Sequence, residues 1–345
     1  MSLRRFIAPD PDEPVEPGEV PSFSVVIPAY QAAGFIADAV ESVLAQTLAP
    51  HEVIVCDDGS TDDLASALAP FRERIALLRR PHRGTAAARN EAVRVASGDF
   101  IAMLDADDVY ESERLSALGE LAASRPDLDV LGTDLHYELD GTLDGRFYEF
   151  TPFAVENQRL GIIDRCFVAC PALRRTRVLE VGGFDESLEV AQDWDLFVRL
   201  ILGGCKVGIV DEPLMRYRKH LGSATANRTR ALWSRVTVLE KTRLHPGLTA
   251  EEREFVDQCV ARARSRSVLH DAQDLVGSRA PNFRGSVLVL ASGKGIAPST
   301  RLALAAAAFT PVGAASLLRW GERHVARPRA HKRVSGDRLF SPSRR

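Results

Sequence analysis

Cysteine is scarce in this chain, and what there is does not group. Cys56, Cys166, Cys170, Cys205 and Cys259 are odd in number and, apart from one C-x-x-x-C, unclustered. That argues against a disulfide framework and against zinc, and suits reduced thiols in the cytoplasm. A surplus of one charge is also missing. With 44 Lys and Arg against 47 Asp and Glu the net charge is −3, so the balance offers no reason to expect nucleic acid as a partner. The N-terminus lacks the apolar core of a signal peptide. No G-x-G-x-x-G and no G-x-x-x-x-G-K-[ST] follows the first apolar run, which leaves a nicotinamide-binding fold and a P-loop unsupported. Nor is there a convincing membrane span. The uncharged residues 302–318, "LALAAAAFTPVGAASLL", are at the short limit, rich in alanine and interrupted by Pro311 and Gly313.

What is present suits a large α/β domain with an appendage. Hydrophobic residues at 45% and charged residues at 26% of 345 are ordinary for a globular protein and supply a sizeable core. Residues 9–21, "PDPDEPVEPGEVP", hold five prolines and five acids without an apolar period, so residues 1–21 read as a solvated, disordered leader. From residue 22 strands and helices alternate. "FSVVIPAY" at 23–30 is a continuous apolar run of the kind buried on both faces of a parallel sheet. Residues 35–47 place Ile36, Val40, Val43 and Leu44 at helical spacing, and "HEVIVCDDGSTDD" supplies a second strand ending in a turn. Residues 74–80 read as strand, 84–97 as helix, and "DFIAMLDA" as the next strand. Repeated βαβ units imply a doubly wound, mostly parallel sheet with helices on both faces. Ligands of such sheets bind beyond the carboxyl ends of the strands. Pro28 to Tyr30, Asp57 with Asp58, and Asp105 to Asp108 all fall there. Carboxylates gathered at one edge call for a divalent cation with a preference for hard oxygen ligands, magnesium or manganese.

Three stretches in this order, "FSVVIPAYQAAGFIADAVESVLAQTLAPHEVIVCDDGSTDD", "RGTAAARNEAVRVASGDFIAMLDADD" and "VGGFDESLEVAQDWDLFVRLI", resemble the family 2 glycosyltransferases of the GT-A fold. The resemblance spans roughly residues 23 to 223, about two thirds of the chain. It implies inverting transfer of a sugar from a nucleotide diphosphate donor to an acceptor hydroxyl, with a metal on the diphosphate. On this pattern Asp58, with Asp57 beside it, holds the donor base and ribose, and Pro28, Ala29 and Tyr30 line the base pocket. Ser60 and Asp63 read instead as an S-x-x-D helix start. Arg83 is either a basic group near the base or a solvated loop arginine. In the D-x-D of "LDADD", Asp107 ligates the metal and Asp105 contacts the ribose or reaches the metal through water, while Asp108 reads equally as a ligand or as a capping acid.

The third stretch contains "AQDWDLFVRL", where Leu196, Phe197, Leu200 and Ile201 form an apolar helical face. An inverting transfer needs one carboxylate near the acceptor oxygen, and Asp193 is the candidate, against the alternative of an acid complementing a helix dipole. Asp195 is better explained by pairing with Arg199 at i+4. Many family members carry Glu before this Asp; here Gln192 stands, which puts acceptor recognition in more doubt than the base. Trp194 reads either as a face for a sugar or as core packing. Arg218 and His220 loosely match the cationic group that family members turn towards the diphosphate.

Beyond the transferase domain, set at residues 22–225, residues 226–325 are helical in period and form a helical appendage, and residues 326–345 form a basic tail. From Arg319 to Arg345 there are nine Lys or Arg against two acids, which suits peripheral contact with an anionic membrane as well as plain solvation. The reading is thus a cytoplasmic, metal-dependent, inverting glycosyltransferase, at the inner face of the membrane where that contact is made. It takes a UDP-sugar by default and a saccharide or glycolipid acceptor by analogy. Two rivals remain. A nucleotidyltransferase should carry a Gly-rich basic loop after its first strand, and "PAYQAAGF" has no basic residue. A scaffold protein on the same fold would tolerate loss of the base or the D-x-D, and Asp105, Asp107 and Asp193 are all present.

Overall fold

The computed structural model describes residues 4–220, 227–277, 283–309 and 316–318. The chain divides into two units, residues 1–223 and 224–345. In the first, β1 (Phe6–Ile7) and β2 (Phe23–Ala29) precede α1 (Ile36–Leu44), β3 (Glu52–Asp57), α2 (Leu64–Leu68), β4 (Ala76–Arg79) and α3 (Thr85–Val95). β5 (Phe100–Met103), β6 (Val109–Tyr110), α4 (Arg114–Ser124), β7 (Val130–Leu139), β8 (Thr142–Arg146), α5 (Phe147–Phe150) and α6 (Gln158–Asp164) follow. The unit ends with β9 (Ala172–Arg174), α7 (Arg175–Glu180), α8 (Gln192–Leu202) and β10 (Val207–Lys219).

One sheet holds all ten strands of the described residues, in the order β1-β10-β7-β9-β5-β2-β3-β4, with β6 on β10 and β8 on β7. The pairs β2/β3, β2/β5 and β3/β4 are parallel, as the βαβ reading expects. Beyond β5 the sheet is mixed, because β9 enters antiparallel to both β5 and β7 while β7 and β10 run parallel. All seven residues of β2 are buried. Val25, Ile27 and Ala29 share a core with Ile36, Val40 and Val43 of α1 and Leu115, Leu118 and Leu121 of α4, and α3 packs against β2 and β3. Helices on both faces explain why β2 reads as an uninterrupted apolar run and does not alternate.

Residues 1–21, expected to be disordered, are partly built into the domain. Phe6 and Ile7 pair with Val210 and Ile209 of β10, Arg4 meets Glu113 and Glu120, and Gly18 N–H donates to the Ala123 carbonyl at 2.7 Å. β10 would otherwise present an open edge, and two residues suffice to cover it while being too few to show a period.

The second unit contains α9 (Arg228–Thr242), α10 (Ala250–Gly277), α11 (Phe283–Ala291) and α12 (Pro298–Phe309). The Asn227 side chain caps α9 by accepting from Arg230 N–H at 3.0 Å. Val268, Leu269 and Ala272 of α10 form a core with Val287, Ile296, Leu304, Ala307 and Ala308. Among the described residues no helix is long and apolar enough to cross a membrane. The basic tail, residues 326–345, lies outside the described residues.

Candidate active site

The parallel register of β2 and β3 sets Pro28 beside Cys56 and Ala29 beside Asp57, so both strands deliver their last residues to one edge. Tyr30 follows, its ring 48% exposed and stacked on His82 with centroids 4.0 Å apart. Asp57 and Asp58 turn their carboxylates onto the protein itself. Asp57 accepts from Ser60 N–H at 2.8 Å. Asp58 accepts from the N–H groups of Arg83 (3.0 Å) and Gly84 (2.7 Å) and faces His82 Nδ1 at 2.8 Å. Asp58 thereby shapes the entry to α3 and holds His82 against Tyr30. Ser60 does not cap α2: its hydroxyl accepts from Gln31 N–H at 3.1 Å, because Gln31 adopts a left-handed φ of 52° and turns its amide that way. The Arg83 guanidinium pairs with Glu186 at 2.6 Å.

The three D-x-D-D acids occupy different environments within four residues. Asp105 pairs with Arg89. Asp107 is half-buried, with Oδ2 2.8 Å from His220 Nε2, and its carbonyl accepts from Arg218 Nε. Asp108 is fully buried. Its Oδ1 accepts from Arg218 N–H at 2.9 Å, and its Oδ2 has no hydrogen-bond partner among the described residues. Burial, and then the Asp105 and Asp107 carboxylates, push the Asp108 carboxyl well above the ordinary carboxylate range. Asp108 is not a helix cap, since α4 begins at Arg114 behind Glu113. Asp105, Asp108 and Cys170 each place one ligand atom within 4.8 Å of the others, whereas Asp107, the expected metal ligand, is grouped with His220. Arg218 also reaches Asp38 at 2.7 Å, and both Arg218 and His220 lie against the Phe35 ring.

Asp193 stands in the first turn of α8, partly exposed, with Oδ1 accepting from Trp194 N–H at 2.8 Å. Ala191, the residue before the helix, has φ 62°. A left-handed alanine costs about 1 kcal/mol, and such strain gathers at functional edges. Trp194 belongs to the core: it is 4% exposed and its indole N–H donates to the Ile162 carbonyl at 2.7 Å, so it offers no face to a sugar. The helical spacing that points Asp193 outward points its neighbour in. Asp195 pairs with Arg199 as its spacing implies, and Arg199 also holds the carbonyls of Val181 and Gly183.

Sequence reasoning passed over Arg89 and Asn90 in "AAARNEAV". Arg89 is 6% exposed, bonds Asp105 and lies over the Phe184 ring at 5.4 Å. Burial works against its charge, yet Asp105 and then Asp193 outweigh it and hold the guanidinium ionised. It is thus a buried cation held by the D-x-D. Asn90 exchanges hydrogen bonds with the Phe184 backbone and donates to Glu186, fastening the "GGFDE" loop ahead of α8. Gly183 in that loop has φ 73°, and a Cβ there would come 2.5 Å from Asn90 Oδ1. A usable signal existed. An arginine inside an alanine helix, with no acid four residues away on either side, must find its partner elsewhere.

The family model for glycosyl transferase family 2 matches residues 24–183. The chain carries a family 2 glycosyltransferase domain. Hyaluronan synthase of Pasteurella multocida is 33% identical over 185 residues, 52% of this chain and 19% of that protein. UDP-Glc:alpha-D-GlcNAc-diphosphoundecaprenol beta-1,3-glucosyltransferase WfaP of Escherichia coli is 29% identical over 222 residues, 63% of this chain and 85% of that one. The chain thus spans about a fifth of the length of the first of these relatives. Among solved structures, S. aureus TarS 1–349 in complex with UDP-GlcNAc matches with a TM-score of 0.59 and 19% identity over 88% of this chain and 90% of that one. At that identity the likeness speaks for the fold, which is GT-A.

Proposed function

We propose that residues 22–225 transfer a sugar from a nucleoside diphosphate sugar, in the first instance a UDP-sugar, to an acceptor hydroxyl with inversion at the anomeric carbon. The observation that carries this reading is the set of charges around the D-x-D: buried Arg89 bonds Asp105, His220 faces Asp107, and the Arg218 N–H meets Asp108. Acids so surrounded by cationic groups suit a charged donor.

In this reading Asp193 accepts the proton of the acceptor hydroxyl as its oxygen attacks the anomeric carbon from the side opposite the diphosphate. A single displacement inverts the centre and needs no covalent intermediate. The Tyr30 ring and the strand ends Pro28 and Ala29 receive the base, with Asp57, Asp58 and Arg83 framing that pocket, and Asp105 takes the ribose. Asp107, with His220 2.8 Å from it, would hold a divalent cation, magnesium or manganese, through its carboxylate oxygens. Bound there, it would neutralise charge on the diphosphate. Arg218, held beside Asp107, adds a second positive group at the same place. The names of WfaP and hyaluronan synthase support a glycolipid or saccharide acceptor. A lipid-linked one would place the reaction on the cytoplasmic face of the cell membrane, with the basic C-terminal region as the contact.

Calorimetry of UDP, GDP and dTDP with manganese, then with excess EDTA, tests the donor half. One nucleotide should bind tightly only with metal, and no binding in either condition would favour the scaffold reading. Asp193→Asn tests the other half. It should lower kcat by roughly 10²- to 10⁴-fold while leaving nucleotide affinity within about threefold, and unchanged turnover would remove Asp193 from the role of base.

A further inference from the structure

The α11–α12 hairpin buries one side and leaves aliphatic residues on the other. Val287, Ile296, Leu304, Ala307 and Ala308 enter the core of the second unit, but Leu288, Val289 and Leu302 remain 41%, 71% and 67% exposed. All three lie within about two helical turns of the loop joining the helices, and that loop is fastened. Arg301 donates to the Gly293 carbonyl at 2.9 Å, Arg264 to the Lys294 carbonyl at 3.2 Å, and Ala297 N–H to Ser265 Oγ at 2.9 Å. Lys294 and Arg301 stand exposed at this tip. Residues 275–321 contain no Asp or Glu and five Lys or Arg. Exposed aliphatic side chains on a fixed support, with Lys294 and Arg301 exposed on the same hairpin, form a docking surface more often than idle surface.

We propose that the tip of the α11–α12 hairpin docks on an anionic lipid surface. Leu288, Val289 and Leu302 enter the boundary between headgroups and acyl chains, and Lys294 and Arg301 meet the lipid phosphates. Charge selects this occupant. A second copy of the chain would bring the same acid-free, cationic stretch against itself and repel, whereas an anionic bilayer complements it. Residues 319–345, with nine Lys or Arg against two acids, continue the same sign along the chain. The inference stands apart from sugar transfer and is tested without turnover.

The test is flotation of the full-length protein with vesicles of equal parts phosphatidylglycerol and phosphatidylcholine, and with phosphatidylcholine alone. The wild type should float with the anionic vesicles and not with the neutral ones. Val289→Glu with Leu302→Glu should lower the partition coefficient at least about tenfold, and Lys294→Glu alone about fivefold, both with unaltered thermal unfolding. Should the double variant fail to fold, Leu302→Gln replaces it, with an expected loss of about threefold. A wild type that ignores anionic vesicles overturns the proposal. So does a variant that floats like the wild type, since the basic tail would then suffice. A variant that loses only self-association in light scattering would also overturn it, as the patch would then meet a second copy.

Discussion

The two halves of the large sheet are built on different terms. β2, β3, β4 and β5 are short, parallel and joined by helices, and the acids at their ends close on nearby loops, Asp57 on Ser60 and Asp58 on Arg83 and Gly84. β7 and β10 are ten and thirteen residues long, with register shifts between Val210 and Pro213 and between Pro213 and Arg216. The end of β10 reaches back across the chain: Arg218 meets Asp108, and His220 meets Asp107, from 110 and 113 residues away. The first half is a scaffold assembled from local pattern. The second decides which side chains confront the D-x-D, and a bulge of one residue there would exchange those that face the site for those that face away. The contrast is sharpest at Asp107 and Asp108. These adjacent acids are met by a side chain and a backbone N–H of the same strand end, one half-exposed and the other sealed with an oxygen left over.

Arg89 joins the D-x-D to the loop ahead of α8 through Asp105 and the Phe184 ring, so its loss should do most to separate the two sides. Arg89→Met is expected to cost about 3 kcal/mol, because it strands a partly buried carboxylate. Arg89→Lys should recover only part, since an ammonium lacks the planar fork. Urea unfolding measures both, and an unchanged midpoint for Arg89→Met would mean that the acids do not depend on it. His220→Ala should touch only the long-range half. Manganese-dependent nucleotide affinity is expected to fall about tenfold, with binding in EDTA and the unfolding midpoint nearly unmoved; equal losses with and without metal would take His220 away from the cation. The smallest effect falls at the strained step into α8. Ala191→Gly should stabilise by about 0.5 kcal/mol, relief of the left-handed φ exceeding the entropy glycine adds to the unfolded chain. A loss of stability would show that the packing of the Ala191 methyl outweighs the strain.

Much of the scaffold was legible. Continuous apolar runs marked β2 and β3, helical spacing marked α1 and α8, and i+4 spacing paired Asp195 with Arg199, because each of these depends on residues close in the chain. Where local chemistry misled, it did so for a physical reason. Ser60 with Asp63 has the form of a cap, but the left-handed turn at Gln31 brings an amide to the Ser60 hydroxyl first. The leader has a disordered composition, but the open edge of β10 recruits two of its residues. Trp194 stands three and seven residues before Phe197 and Ile201 of the apolar face of α8, so its inward turn follows from helical spacing that its reading as a sugar platform set aside.

By itself, then, the sequence determined a doubly wound α/β domain with acids at the carboxyl ends of its strands and a helical region after it, since period and turn chemistry are short-range properties. Tertiary structure alone decided the rest. It set β9 antiparallel into the sheet, gave Asp107 to His220 and sealed Asp108, and placed Arg89 between Asp105 and the Phe184 ring. Each of these is a choice of partner across many tens of residues, made by strand register and by the cost of leaving a buried charge alone.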